Sequence, residues 1–401
     1  MFTRLCVGIL AVVLIACEQT GPLPQAPAPY KSVILDSLAH PWSMAFINDH
    51  EAFMTEKEGD LLRVDLSHQL KYRIKGFPQD LFRPLVLDVS KYPPRIYPNS
   101  LDGQMISGNA GILDVILHPD FDKNAQLFVS YVSAINETYA LKVIRAIVVN
   151  DSLSDIKTIL NPGPYVPGVW HFGGGLCIQD SCLYITVGER LFFENLKIGL
   201  PIAQDTKDAR GAIYRVLLDG SIPADNPELG IGAVPGMYAF GIRAAQGITP
   251  RPGTHEIWFS EHGTNQGDEI NLLQPGANYG WPNKTTGTWR SADYVPDALP
   301  NPTYTAPQHY WLQTVAPTGL SFYIGSEFPS WQGNLLVPGL SRGSLWRLVL
   351  NGPIVVSAEE LFLDDHVRLR KVIQSPGGQL YILTDEDNGK LIQIKNKSHD
   401  N

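Results

Sequence analysis

The feature that most constrains this chain is a strand-rich unit that recurs six times. Each unit has a short apolar strand, a turn, a second β-rich strand and often a third strand that ends near Asp-Gly or Asn-Gly. A single unit of this kind cannot bury its apolar face alone, so neighbouring units must stack. The first strands start at intervals of 52 to 72 residues, near Ser43, Gly111, Gly175, Gly247, Gly319 and Lys371.

The repeat predicts an all-β fold, a six-bladed β-propeller of four-stranded antiparallel blades that forms one domain over residues 31–396. Circular stacking gives each blade two neighbours and removes most free strand edges. The segment Ser-Val-Ile-Leu at residues 32–35 precedes the first unit and could supply the missing outer strand of the last one. A β-sandwich pair is the alternative, because strand periodicity does not fix how sheets pack.

Composition agrees with this architecture and disfavours two classes of partner. The 36 glycines and 31 prolines among 401 residues suit a chain with many turns and few long helices. There are 31 Lys and Arg residues against 40 Asp and Glu residues, a net charge of −9, and no basic run. This balance disfavours binding to nucleic acid or to an anionic membrane surface.

Residues 1–17 (MFTRLCVGILAVVLIAC) read as a lipoprotein signal peptide, because Arg4 precedes an apolar stretch too short to span a bilayer. The final Leu-Ile-Ala-Cys resembles a bacterial lipobox, which makes Cys17 the predicted site of lipidation. Residues 18–30 form a Pro-rich tether. Because residue 18 is Glu and not Asp, we expect an outer-membrane anchor facing the periplasm. An ordinary secretory signal is the alternative.

Two cysteines remain in the predicted domain, Cys177 and Cys182, and they flank a short turn between two apolar runs. A hairpin would place them nearly opposite each other, so an oxidising compartment predicts a disulfide. Two buried free thiols are the alternative. Two cysteines alone do not indicate a metal site.

The hairpins also predict where polar residues converge. In an antiparallel hairpin, the start of the first strand and the end of the second lie at the same end, so the flanking residues share one face of the propeller. We call this face the axial mouth and expect it to bind the ligand. Its predicted residues are Asn109, His171, Arg243, Arg368 and Arg370 before first strands, and Glu56, Glu189, Glu261, His262, Gly263 and Arg342 after second strands.

Two groups at the mouth carry recognisable chemistry. Arg243, Arg368 and Arg370 predict an anionic ligand, since guanidinium groups bind carboxylates or phosphates bidentately. The alternative is that each arginine pairs with a nearby acid. His171 and Glu189 could act as a base and the carboxylate that orients it, although a lone histidine is more often structural.

Several stretches in the same order resemble the soluble quinoprotein glucose/sorbosone dehydrogenases, including the bacterial aldose sugar dehydrogenases. These stretches are HPWSMAF, GNAGILDVILHPDF, HFGGGL, LYITVGER, FGIRAAQG, SEHGTNQGDEINLLQPGANYGWP and VRLRKVIQSPGGQLYILTD. The resemblance implies a six-bladed propeller that binds pyrroloquinoline quinone (PQQ) and Ca²⁺ at this mouth. It also implies a dehydrogenase that oxidises a hydroxyl of an aldose or related polyol and passes electrons to an external acceptor.

The same resemblance assigns roles to individual residues. His171 looks like the base that takes the proton from the sugar hydroxyl, with Glu189 orienting it and Arg243 beside them. The residues that the resemblance implies for cofactor binding are Asn109, Arg243, Arg368 and Arg370.

For calcium, the resemblance implies two sites. The carbonyls of Gly263 and Thr264 match the pair that holds the catalytic ion, and oxygen ligands suit this hard cation. Glu269 with the Tyr279 carbonyl suggests a second, structural ion.

The chain departs from the family pattern at the mouth. Glu189 and Thr264 stand where Asp and Pro are usual, Ala244 and Ala245 replace Asn-Pro, Ser341 stands where the glucose dehydrogenases have Lys, and Lys371 replaces an Asp. The lysine is expected to change the sign of the charge beside Arg370. These departures support a rival hypothesis, a lipid-anchored, non-catalytic propeller that binds an anionic saccharide or another anion.

Overall fold

The computed structural model describes residues 29–83, 86–88, 104–106, 109–190, 201–288 and 303–397. The predicted signal peptide, its Cys17 and most of the predicted tether lie outside the described residues. Among the described residues, no helix combines the length and apolarity needed to cross a membrane.

Short β-strands, numbered in chain order, make up almost all of the regular structure. They are β1 (Pro29–Leu38), β2 (Pro41–Phe46), β3 (Glu51–Glu56), β4 (Asp60–Asp65), β5 (Leu70–Arg73), β6 (Val86–Asp88), β7 (Gln104–Ile106), β8 (Ile112–Leu117), β9 (Gln126–Ile135), β10 (Thr138–Val149), β11 (Ser152–Leu160), β12 (Gly173–Gln179), β13 (Cys182–Val187), β14 (Ala212–Leu217), β15 (Met237–Phe240), β16 (Ala245–Pro250), β17 (Ile257–Glu261), β18 (Asp268–Leu272), β19 (His309–Trp311), β20 (Ser321–Phe322), β21 (Leu335–Pro338), β22 (Leu345–Asn351), β23 (Ile354–Leu361), β24 (Leu369–Gln374), β25 (Leu380–Thr384) and β26 (Gly389–Asn396). In the part of the chain that the structure describes, helical structure is limited to one α-turn, α1 (Phe121–Asn124), and short 3₁₀ turns at Ile202–Gln204, Pro329–Trp331 and Leu363–Asp365.

Six four-stranded antiparallel sheets form the blades of a propeller. Blades 1 to 5 are β2–β5, β8–β11, β12–β15, β16–β19 and β20–β23, and blade 6 contains β24, β25, β26 and β1. The innermost strands β2, β8, β12, β16, β20 and β24 contact one another in sequence, and β24 contacts β2. The ring is therefore closed, which confirms the predicted six-bladed propeller over the sandwich alternative. Strands β6 and β7 form a small separate sheet.

The N-terminal strand closes the ring. β1 pairs with β26, with Val33 opposite Ile392, as predicted for residues 32–35. The strand begins at Pro29, two residues before the predicted start of the domain. Leu38 pairs with Gly389 at one end of the blade and Pro29 pairs with Asn396 at the other. β1 therefore covers the edge of β26 and is itself the outer strand of blade 6.

The core lies between the blades. The second strands of blades 3 to 6 are buried along their whole length, as in β13, where all six residues are buried, and β21, where all four are. Their Val, Leu, Ile and aromatic side chains suit a strand that is covered on both faces. Between blades 4 and 5, the rings of Trp258 and Phe322 meet edge to face at 6.1 Å.

A register irregularity recurs near the start of the innermost strand in blades 1, 2, 3, 4 and 6. In blade 6, Leu369 pairs with Thr384 and Lys371 pairs with Leu383, so Arg370 is the extra residue. Trp42 and Gln246 are the corresponding extra residues of blades 1 and 4. A bulge of this kind re-aims a side chain that regular alternation would send into the sheet.

The structure corrects the predicted disulfide. Cys177 pairs with Tyr184 and Cys182 pairs with Gln179, so the two cysteines are diagonal and not opposite. Diagonal positions are typically about 7–8 Å apart, whereas the Cβ atoms of a disulfide are about 4 Å apart. Both side chains are buried free thiols in the core between blades 3 and 4. Burial raises the pKa of the Cys177 thiol, so it is unreactive.

Candidate active site

The strand register brings the predicted residues to one end of the propeller. The first residue of an innermost strand pairs with the last residue of its neighbour in blades 1, 3, 4 and 6: Pro41 with Glu56, Gly173 with Val187, Ala245 with Glu261, and Leu369 with Thr384. The residues that flank these pairs therefore meet at the axial mouth, around the central channel lined by the six innermost strands.

His171 and Glu189 form a hydrogen-bonded pair at this mouth. The His171 Nδ1 atom lies 2.5 Å from Glu189 Oε1, and Glu189 exposes only 2% of its surface. With Nδ1–H donating to the carboxylate, the lone pair of the ring lies on Nε2. Glu189 makes this contact although its side chain is one methylene longer than that of Asp. The arrangement can orient a histidine base.

Arg190 fixes the loop that carries His171. Its Nε, Nη1 and Nη2 atoms donate to the carbonyls of Trp170, Tyr139 and Gly168 at 3.0, 2.6 and 2.5 Å. Its guanidinium carbon lies 3.6 Å from the centre of the Phe172 ring. These contacts hold the loop on both sides of the histidine.

The backbone at His171 is itself constrained. Its φ angle is +51°, a left-handed conformation that costs free energy for a non-glycine residue. A Cβ atom at Gly188 would lie 2.0 Å from the His171 carbonyl oxygen, so only glycine permits this approach. The close packing of the two hairpin ends therefore imposes the position of the base.

Arg243 lies beside the pair, bound into the same network. Its carbonyl accepts a hydrogen bond from the Glu189 amide at 2.9 Å, and its own amide donates to Glu261 Oε1 at 2.6 Å. Its Nη1 donates to the His262 carbonyl at 3.2 Å, and its guanidinium lies 5.2 Å from the Trp281 ring centre. Arg243 is buried, and such packing fixes a side chain in the conformation that binds a ligand.

Arg368 and Arg370 share one carboxylate. Each donates from Nη2 to Asp385 Oδ2 at 2.8 Å. Burial acts to raise the pKa of Asp385, but Arg370, His40 and Arg368 together hold it far below its usual range. These two arginines therefore pair with a nearby acid, which was the alternative considered from the sequence. Two guanidinium groups and one carboxylate leave one net positive charge.

The structure places Arg370 inside the central channel and not at its rim. As the bulge residue of β24, it is fully covered, while Arg368 is half exposed. Its Nη1 donates to Gln246 Oε1 at 2.7 Å, and its guanidinium stacks 4.0 Å from the Trp42 ring centre. Three bulge residues from three blades thus meet directly beneath the mouth.

From the sequence we expected Lys371 to change the sign of the charge beside Arg370. The structure shows that it does not. Its Nζ atom contacts Asp114 Oδ1 at 2.5 Å and Ser43 Oγ at 2.9 Å. The other oxygen of Asp114 accepts the Leu176 amide at 2.9 Å. The lysine charge is thus neutralised by blade 2 within the channel.

The carbonyls of Gly263 and Thr264 fit a cation. No hydrogen bond of the described chain ends on either oxygen, and the Gly263 amide donates to Asp268 Oδ1 at 2.8 Å. A Cβ atom at Gly263 would lie 2.3 Å from the Gln266 carbonyl, so the loop requires glycine. Two unused carbonyls on a tight loop are suitable ligands for Ca²⁺.

Glu269 lies opposite Glu261 in the register of β17 and β18; Glu261 is buried and Glu269 is half-buried. Burial, together with Glu269, raises the pKa of Glu261 well above its usual value. Burial likewise raises the pKa of Glu269, which accepts a hydrogen bond from Thr286 Oγ1 at 2.8 Å. Among the described residues, no hydrogen bond ends on the Tyr279 carbonyl. The pair of acids and this carbonyl could share a cation.

A cluster of three or more His, Cys, Asp or Glu side chains suited to a metal is not found in the described ranges. The calcium hypothesis therefore depends on backbone carbonyls as well as carboxylates.

The other predicted residues of the face have structural partners. The backbone N–H of Asn109 donates to the Val169 carbonyl at 3.0 Å, next to the His171 loop. Glu56 accepts the Ala39 amide at 2.8 Å. Arg342 forms an ion pair with Glu360 at 2.6 Å, so the structure does not assign it to the ligand.

The sequence analysis did not predict Asp385, Lys57 and Arg190 at the mouth, and it assigned no chemical role to His262. Asp385 and Lys57 immediately follow second strands, so the rule that selected the predicted face, applied to every blade, would have found them. Arg190 gave no sequence signal, because its role depends on three distant carbonyls. His262 donates from Nε2 to the Pro317 carbonyl at 2.9 Å, and burial lowers its pKa to about 4, so it is neutral.

Comparison with known proteins identifies the family. The family model described as Glucose / Sorbosone dehydrogenase matches residues 38–393. The chain belongs to this family. Aldose sugar dehydrogenase YliI of Escherichia coli (strain K12) is 32% identical over 370 residues, covering 90% of this chain and 91% of that protein. Quinoprotein glucose dehydrogenase B of Acinetobacter calcoaceticus is 27% identical over 459 residues, covering 94% and 91%.

The fold of this glucose/sorbosone dehydrogenase family member also matches solved structures. The crystal structure of the soluble aldose sugar dehydrogenase from Escherichia coli in the apo-form has a TM-score of 0.79 and 29% identity. The match covers 92% of this chain and 100% of that one. The family predicted from the sequence motifs is thereby confirmed.

Proposed function

We propose that this protein is a PQQ- and Ca²⁺-dependent dehydrogenase that oxidises a hydroxyl of an aldose or related polyol. The observation that carries the proposal is the His171–Glu189 pair beside Arg243 at the mouth, together with Arg368 and, beneath the mouth in the channel, Arg370. A histidine held by a buried carboxylate suits a proton acceptor, and arginines suit an anionic cofactor. The names of the Escherichia coli and Acinetobacter relatives support this substrate class and a quinone cofactor.

The residues of the chain have distinct roles in this proposal. His171 Nε2 accepts the proton of the substrate hydroxyl, and Glu189 stabilises the imidazolium that forms. Arg190 and Gly188 keep the base in place. Arg243, whose backbone bridges Glu189 and Glu261, positions the anionic groups nearest the reacting atoms.

PQQ and Ca²⁺ fit the donors that are present. PQQ is a quinone with carboxylate groups, and Asn109, Arg243, Arg368 and Arg370 would hold it. When bound, it supplies the acceptor for the hydride. The carbonyls of Gly263 and Thr264 would hold the catalytic Ca²⁺, while Glu269 and the Tyr279 carbonyl would hold the structural one.

We also propose that Cys17 is acylated and that the protein faces the periplasm from the outer membrane. The support is the lipobox-like Leu-Ile-Ala-Cys and the Pro-rich segment that follows it. In this proposal, an external acceptor receives the electrons.

One observation favours the rival, a non-catalytic propeller that binds an anion. Ala244 and Ala245 have methyl side chains, so they offer no amide group to a cofactor, and both are fully buried. The Lys371–Asp114 contact removes the second argument for the rival, since the lysine charge is balanced.

The decisive experiment is reconstitution. Purified apo-protein is mixed with PQQ and millimolar Ca²⁺, and the quinone absorbance is followed as aldoses are added. Saturable PQQ binding with sugar-dependent reduction is expected. An absence of saturable PQQ binding would favour the rival, and binding without reduction by any aldose would reject the substrate class alone.

A further inference from the structure

His40 is a histidine at the mouth to which the proposed reaction assigns no role. It lies between the end of β1 and the start of β2, in the short connection that joins blade 6 to blade 1 at the mouth. Its amide donates to the Glu386 carbonyl at 3.1 Å, and its carbonyl accepts a hydrogen bond from the Lys57 amide at 3.1 Å. These two bonds hold the histidine between the residues that follow β25 and those that follow β3.

Three carboxylates face the His40 ring. Nε2 lies 2.7 Å from Asp387 Oδ1 and 3.9 Å from Glu58 Oε1, and the side chains of these two acids are 90% and 51% exposed. On the other side of the ring, Nδ1 lies 3.6 Å from Oδ1 of Asp385, whose side chain is only 7% exposed. The carboxylate that faces Nδ1 is therefore the one that water screens least.

Nδ1 of His40 and Oδ1 of Asp385 are both buried, and neither has a hydrogen-bond partner among the described residues. With Nε2–H donating to Asp387, a neutral ring directs the Nδ1 lone pair at the carboxylate, which is repulsive. A protonated ring places an N–H between the two atoms, which is attractive. Asp385 accordingly raises the pKa of His40 above its usual value, whereas burial and the Lys57 charge act in the opposite direction.

Asp385 connects this histidine to the arginines of the mouth. Its other oxygen, Oδ2, accepts hydrogen bonds from both Arg368 and Arg370 at 2.8 Å. A protonated His40 adds a positive charge and shares the carboxylate, so the two guanidinium groups are less neutralised and attract an anion more strongly. A neutral His40 leaves the whole charge of Asp385 to the arginines.

We propose that His40 is a positioning residue that controls binding of the anionic cofactor through Asp385, and that its protonated form favours binding. This inference rests on the proposed function. It describes a coupling between proton binding and cofactor binding, and couplings of this kind typically change an affinity about 5- to 150-fold. The affinity for the cofactor should therefore fall as the pH rises through the pKa of His40.

The test is a titration of apo-protein with PQQ in the presence of Ca²⁺, followed by quenching of tryptophan fluorescence, at about pH 6 and about pH 9, which bracket a raised histidine pKa. At the lower pH, His40→Gln should bind about tenfold more weakly than wild type, near the lower end of the range for such couplings. At the higher pH the two Kd values should agree, because both side chains are neutral. His40→Lys, which stays charged, should match wild type at the lower pH and bind more tightly than wild type at the higher pH.

The comparison isolates His40, because any titration of His171 or of PQQ itself is common to all these proteins. His255→Gln is the matched control: His255 is also paired with an acid, Asp180, at 2.7 Å, but its side chain is 87% exposed on the opposite face. This variant should bind PQQ as wild type does at both pH values.

Each outcome separates this inference from the proposed function. If wild type and His40→Gln bind PQQ equally well at the lower pH, the assignment of His40 is wrong and the proposed function stands. If His40→Gln binds more weakly by the same factor at both pH values, or if its apo-protein melts below wild type at the higher pH, the histidine is structural and the assignment is again wrong. If wild type binds PQQ at neither pH, the proposed function fails and the assignment fails with it.

Discussion

The Lys371–Asp114 contact should make a large contribution to the stability of the propeller, because it links blade 6 to blade 2 across the channel. The Asp114 side chain is 6% exposed and the Lys371 side chain 18%. Removing one partner of a buried ion pair typically costs about 3–5 kcal/mol, since the other charge is left uncompensated. Lys371→Met keeps the aliphatic stem that packs against Gly319 and removes only the charge.

The expected loss for Lys371→Met is about 3 kcal/mol, at the lower end of that range, because Asp114 keeps its bonds to Ser43 and the Leu176 amide. With an unfolding entropy of about 2.1 cal/mol/K per residue, a domain of this size should lose about 4 °C in Tm. Asp114→Asn should cost a similar amount. The double variant should be more stable than the sum of the single effects predicts, by about 2 kcal/mol.

The assay is urea unfolding of the apo-protein, followed by tryptophan fluorescence, for wild type, both single variants and the double variant. A matched control pair is Lys123 and Asp120, which are 2.8 Å apart, compared with 2.5 Å for Lys371 and Asp114, but exposed. Its coupling energy should not exceed about 0.5 kcal/mol. Additive effects at Lys371 and Asp114, or single losses below about 1 kcal/mol, would refute the idea that the buried contact stabilises the ring.

Further variants test the site and the anchor. His171→Gln should bind PQQ with the wild-type Kd but lose turnover by on the order of 10², the usual contribution of a general base; unchanged turnover would remove it from the mechanism. Arg190→Lys should leave the PQQ Kd unchanged and lower kcat roughly tenfold, because a displaced base costs rate. If KM alone rises, Arg190 does not position the base. Glu269→Gln should lower Tm and reduce the rise in Tm that Ca²⁺ gives to wild type, because an ion that binds only the folded state stabilises it. An equal response of both proteins to chelator would contradict the structural calcium site. Cys17→Ser should release the protein from the membrane fraction while the circular dichroism of the domain stays unchanged, and full membrane retention would exclude the lipid anchor.

The sequence was sufficient to predict the closed ring of six blades and much of the axial mouth. Short apolar strands in a sixfold repeat admit few closed arrangements, and the hairpin rule placed His171, Glu189 and Arg243 on one face without side-chain geometry. The same reasoning could not place Arg370, because a one-residue bulge is invisible in an alternating pattern and moves the side chain from the rim into the channel.

Two other features depend on register and on distant contacts. The spacing of Cys177 and Cys182 did not reveal that the hairpin pairs Cys182 with Gln179, which makes the thiols diagonal. Lys371 could be recognised as a charge change, but its partner Asp114 is 257 residues away in the chain. Long-range pairing of this kind follows from ring closure and not from local pattern.

The direction of β1 determines which way the mouth would face in a cell. β25 ends at the mouth, β26 runs away from it, and β1 runs back, so Pro29 emerges on the opposite face of the disc. If Cys17 is acylated as proposed, residues 18–28 can span at most about 40 Å, and the chain enters the propeller on the side remote from His171. The lipid anchor would therefore hold the propeller face remote from His171 towards the bilayer. The axial mouth would then face away from the bilayer and stay open to solutes. A water-soluble electron acceptor should then be reduced equally fast by vesicle-bound and by free protein, and a slower vesicle-bound rate would argue against this orientation.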